Sequence, residues 1–106
     1  SLLWWDNMIR SGQLEQSLYA ARASMERLLP YDNVRLYYFQ DEEDVIRDLD
    51  LYMDPIHFNE DINHWMVEEM AQDHYRITSE NYQQELEKME QIAERIRTEY
   101  DTLTAE

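Results

Sequence analysis

The sequence predicts a helix-dominated α/β fold with about two short parallel strands and one long C-terminal helix. Three observations point there. One Gly and two Pro in 106 residues are too few to punctuate a many-stranded sheet with tight turns. A helical apolar stripe over residues 14–28 runs almost directly into "NVRLYYF", residues 33–39, which has the β-branched and aromatic content of a strand. Residues 82–103 repeat apolar side chains at alternating intervals of four and three, the period of a long helix with one packed face.

Taken in order, Leu2 to Trp5 form an apolar run expected as a buried strand. Leu14, Leu18, Ala21, Met25 and Leu28 then make one helical stripe. Ser11 or Gly12 is placed to cap that helix and Pro30 to stop it. With residues 33–39 as the next strand, the helix is a right-handed crossover between two parallel strands. "DEEDVIRDL" opens with acids suited to a helix N-terminus and has a short apolar face of Val45, Ile46 and Leu49. "DLYMDPIHF" shows no period and reads as loop. Asn59 caps the following helix, whose inner side is Ile62, Trp65, Met66 and Met70. "AQDHYRI" is a link, and Thr78 caps a last helix carrying Tyr82, Leu86, Met89, Ala93, Ile96, Tyr100 and Leu103 on its seam. The seam has two readings: packing within its own domain, or a coiled-coil-like contact with a second chain. Residues 1–76 are expected as the α/β unit and 77–106 as the long amphipathic helix.

Composition narrows the function. Apolar residues make up 43 % of the chain, enough for a core, and 24 acids against 9 bases give a net charge of −15. Such a field repels phosphate backbones and anionic lipid, which argues against nucleic-acid and membrane-surface partners. No apolar run approaches the ~20 residues of a membrane span, and no signal-peptide pattern opens the chain. The chain lacks cysteine, so disulfides, thiolate nucleophiles and zinc–thiolate sites are excluded.

The chemistry concentrates in "DPIH", residues 54–57. Asp is favoured at the first position of a turn, and Pro at the second presets φ. The ends of such a turn lie within about 7 Å, so the Asp54 carboxylate can reach the His57 imidazole. A carboxylate on one ring nitrogen leaves the other free to accept a proton and stabilises the imidazolium that results. The competing reading is a surface turn with no chemistry.

Residues 33–70 resemble the C-terminal end of SGNH (GDSL-like) hydrolases, most closely bacterial envelope-associated members whose last motif is Asp-x-x-His. The resemblance covers roughly residues 1–70 and implies a partial flavodoxin-like unit. It implies that Asp54 is the orienting acid and His57 the general base of a Ser-His-Asp triad acting on an acyl or carbohydrate ester, without a cofactor. It further suggests an extracytoplasmic or cell-envelope location. The family's Gly-Asp-Ser nucleophile block and its Gly and Asn oxyanion donors have no counterpart here. The serines are Ser1, Ser11, Ser17, Ser24 and Ser79, and none follows a Gly-Asp or sits in a G-x-S-x-G elbow. The chain therefore reads as a C-terminal segment, inactive by itself.

His57, His64 and His74 are spaced seven and ten apart, which matches no metal-ligand pattern. "DEEDVIRDLD" lacks the glycine and terminal Glu of a calcium loop. Trp4, Trp5 and Trp65 are expected in the core. Apolar surface left uncovered in a partial domain favours association, as a homodimer or with the remainder of the domain. A second functional reading is non-enzymatic: a small helical interaction module that associates through the 82–103 seam.

Overall fold

The computed structural model describes residues 1–104, and side chains as far as Thr102. Five helices carry the fold: α1 (Leu2–Arg10), α2 (Leu14–Leu28), α3 (Glu43–Ile46), α4 (Glu60–Ala71) and α5 (Tyr82–Thr104). Two strands of two residues each, β1 (Leu36–Tyr37) and β2 (Arg76–Ile77), and a 3-10 turn at Leu49–Leu51 complete it.

The sheet overturns the expected α/β class. β1 and β2 pair antiparallel, Leu36 opposite Ile77 and Tyr37 opposite Arg76. Parallel strands, and with them the crossover and the flavodoxin-like unit, are not present among the described residues. The cause lies in the first nine residues. Leu2 to Trp5 are helical, because the apolar run continues as Trp5, Met8 and Ile9 at helical spacing and lands on α5. The segment is thereby lost as a strand partner. β1 pairs instead with "RI" in what reads as a link.

Local chemistry explains the helix ends. Gly12, at φ +73°, does not cap α2; it closes α1. Its N–H donates to Ile9 O at 3.0 Å and Gln13 N–H to Met8 O at 2.8 Å, the paired bonds of a Schellman ending. Asn59 caps α4 as expected, its side chain accepting from Ile62 N–H at 3.2 Å. Before α5, Thr78 O accepts from Asn81 N–H at 3.3 Å and Tyr82 N–H at 3.1 Å, and Asn81 Oδ1 accepts from Thr78 N–H at 2.7 Å.

α5 forms the spine. Met89, Ile92, Ala93 and Ile96 pack with Trp5 and Met8 of α1 and Ile46 of α3. Leu86 packs with Met25 of α2 and Ile77 of β2. Leu86, Met89, Ala93 and Ile96, four members of the heptad-like seam, are each at most 2 % exposed. The seam faces the chain's own core; the side chain of Leu103 lies outside the described residues. Ile92, off the seam, is fully buried too. It widens the stripe beyond the narrow face of a two-stranded coil, as a core-facing helix requires. α3 is tied down at the surface as well. Arg95 Nη2 lies 2.6 Å from Glu43, and Arg47 lies 3.0 Å from Glu43 and 2.8 Å from Glu99.

Candidate acid–base site

The loop between the 3-10 turn and α4 is a narrow hairpin-like excursion. Tyr52 and Phe58 form an antiparallel bridge. Met53 N–H donates to His57 O at 2.8 Å, and Asn59 N–H to Leu51 O at 2.8 Å. Residues 54–57 are thereby held at the tip. There Asp54 uses both oxygens. Oδ1 accepts from the backbone N–H groups of Ile56 at 2.8 Å and His57 at 2.7 Å. Oδ2 lies 2.7 Å from His57 Nδ1. The two residues the sequence singled out are in direct contact.

Electrostatics follow from that geometry. The His57 amide, the Ile56 amide and then the His57 ring, in that order, hold the Asp54 carboxyl down at about 2. Asp54 is a carboxylate at neutral pH and cannot itself take up a proton there. Facing it, Nδ1 of a neutral imidazole carries the proton, which leaves Nε2 as the basic atom. The His57 side chain is 67 % exposed, so Nε2 stands in solvent at the rim of the loop. Met53 and Ile56 beside the pair are 74 % and 56 % exposed, which makes the tip apolar around a polar pair.

Of the chain's serines, Ser1 reaches this loop. Its hydroxyl donates to the Pro55 carbonyl. The hydroxyls of Ser11 and Ser24 donate to Met8 O and Ala20 O. These three are committed to backbone carbonyls.

Two further acid–imidazole contacts escaped the sequence reading. His74 Nδ1 lies 2.7 Å from Glu69 Oε2, and His64 Nε2 lies 3.6 Å from Glu60. The first follows from how α4 ends. Asp73 takes φ +61°, its N–H donates to Met70 O, and His74 N–H donates to Glu69 O at 2.9 Å. This is again a Schellman ending, with Asp where Gly is usual, and it folds His74 back over Glu69. Tyr37 Oη donates to Asp73 Oδ1 at 2.6 Å and steadies the turn. The sequence signal was an Asp at a helix end, which tolerates left-handed backbone better than most residues. Among the described residues no group of three His, Asp or Glu side chains converges as a cation site.

Trp5 is buried, whereas Trp65 is half-buried and packs on Phe39 and Tyr75 with ring centroids 5.3 to 5.6 Å apart. The rings touch one another and form a satellite cluster rather than an open pocket. Among the described residues no helix is long and apolar enough to cross a membrane. No protein family, curated protein or solved structure matches this chain.

Proposed function

We propose that Asp54 and His57 are the acid and base of a serine-dependent ester hydrolase or acyltransferase of the SGNH type, and that this chain is the part of that enzyme which carries them. The single observation that carries the reading is the 2.7 Å contact between Asp54 Oδ2 and His57 Nδ1, with Oδ1 fixed by two amides. The two amide bonds orient the carboxylate so that Oδ2 faces Nδ1 of the ring. His57 Nε2 removes the proton from a serine hydroxyl as its oxygen bonds to the ester carbonyl carbon. Asp54 stabilises the imidazolium, which then gives its proton to the departing alkoxide. Water or an acceptor alcohol repeats the cycle on the acyl-serine. The resemblance to envelope-associated hydrolases makes an acylated carbohydrate of the cell envelope the substrate class. In this reading the serine and the oxyanion donors are brought to Nε2 by further residues of a larger enzyme.

Two measurements test this. Nitrogen-15 NMR of the imidazole should find neutral His57 protonated on Nδ1. Asp54→Asn keeps an oxygen for the two amides but puts an NH2 group against Nδ1, so the proton should move to Nε2. A wild-type ring protonated on Nε2 would refute the acid–base assignment. This chain alone should not hydrolyse a chromogenic ester; turnover abolished by His57→Ala would instead place a complete site within it.

The interaction-module reading gains no support of this kind, since Leu86, Met89, Ala93 and Ile96 are buried within the chain.

A further inference from the structure

Asp41 lies in the turn that leads from β1 to α3, where Glu42 N–H donates to Phe39 O at 3.2 Å. Its side chain is 1 % exposed, and in the ionised form neither carboxyl oxygen finds a hydrogen-bond donor among the described residues. Such a group is costly when ionised, because burial strips its water and no hydrogen bond replaces it. The groups that face it are Tyr38 just after β1, Glu42 beside it, and Glu85 and Lys88 from α5. Lys88 Nζ stands 3.7 Å away, too far for a strong hydrogen bond, and its side chain is half in water. One ammonium therefore faces three carboxyl groups. A neutral Asp41 has an O–H to give to the adjoining Glu85 carboxylate. An ionised Asp41 has nothing to give, and repels it.

We propose that Asp41 is a proton-operated latch between the β1–α3 segment and α5, closed when Asp41 is protonated and loosened when it ionises. The segment it holds, α3 and the 3-10 turn, leads into the loop that carries Asp54 and His57. The latch is independent of the ester-hydrolysis reading.

Burial first, and Glu85 next, push the Asp41 carboxyl up to about 7 against the pull of Lys88. A carboxyl raised on folding contributes stability that is fully present below its ordinary value of 3.8. That contribution is lost as pH rises through about 7. The latch therefore weakens progressively above about pH 4, and the last tenfold or so of that loss falls between about pH 6 and 8.

Amide hydrogen exchange tests this on the intact chain. The amides of Glu42, Val45, Ile46 and Arg47 should lose protection, corrected for intrinsic exchange, by about tenfold between pH 6 and 8 relative to α5 core amides. Asp41→Asn should keep high protection at both values. Glu85→Gln, a change at a partly exposed position, removes the like charge and should move the transition to lower pH. It supplies the test if Asp41→Asn does not fold. A flat wild-type profile, a pH dependence that survives Asp41→Asn, or a midpoint unmoved by Glu85→Gln would each overturn the proposal.

Discussion

The double substitution Leu86→Glu plus Ile96→Glu separates a core helix from an interaction helix. Both side chains are at most 2 % exposed and lie on the face of α5 that meets α1, α2 and α3. Each change forfeits about 2 kcal/mol of apolar burial and pushes a carboxyl group into a site with no partner, at several kcal/mol more. The two together cost on the order of 10 kcal/mol, within the roughly 5–15 kcal/mol that stabilises a domain of this length. The chain should therefore unfold. Far-UV circular dichroism should lose its helical signal, and sedimentation should report an expanded monomer. If the seam were instead an intermolecular surface, the same variant would remain helical and only lose mass. A folded variant of halved mass would refute the core assignment and restore the interaction-module reading. Ile96→Ala is the gentler control, expected to cost about 2–4 kcal/mol with the fold intact.

Two predictions concern the loop and its support. Asn59→Ala removes the oxygen that accepts from Ile62 N–H and should lower stability in urea unfolding by about 1 kcal/mol; Asn59→Asp should be near neutral, and an unchanged alanine variant would show that the cap is idle. Asp54 is held at about 2 against its ordinary 3.8, so its bonds to Ile56 and His57 persist above about pH 4 and are lost as pH falls through about 2. The amide shifts of Ile56 and His57 should report a midpoint near that lower value, and a midpoint near 4 would mean the two amide bonds do not form in solution.

What the sequence revealed and concealed divides by range. The α2 stripe from Leu14 to Leu28, the Asn59 cap and the α5 period are short-range patterns, and the structure has each where it was read. The contact between Asp54 and His57 was legible for the same reason, since three residues and a proline decide it. The strand count failed where a short-range signal is ambiguous. Four apolar residues in a row, Leu2 to Trp5, fit a buried strand or one turn of a buried helix equally well, and only contact with Met89 and Ile92 resolves them. β2 is two residues long, too short to show alternation. Asp41 was illegible for a different reason. In "DEED" all four acids suit a solvated helix start, and which one is buried depends on where α5 passes, which lies more than forty residues away.

Losing the parallel sheet does not weaken the acid–base pair, because the bonds that build it are local. The bridge between Tyr52 and Phe58, the bond from Met53 to His57 and the three contacts of Asp54 all lie within seven residues. A pair so made is a property of the loop and travels with it. What the rest of the fold supplies is the platform: α4 starts at its cap two residues after His57, and Ile46 fixes α3 in the core before the loop begins. The functional question therefore rests on what stands opposite Nε2. The carboxylate against Nδ1 would fix the ring proton there even in a surface turn with no chemistry, so the tautomer is a requirement of a general base and not proof of one. A general base requires the proton on Nδ1, and Asp54 is bonded so that its free oxygen faces that nitrogen and no other.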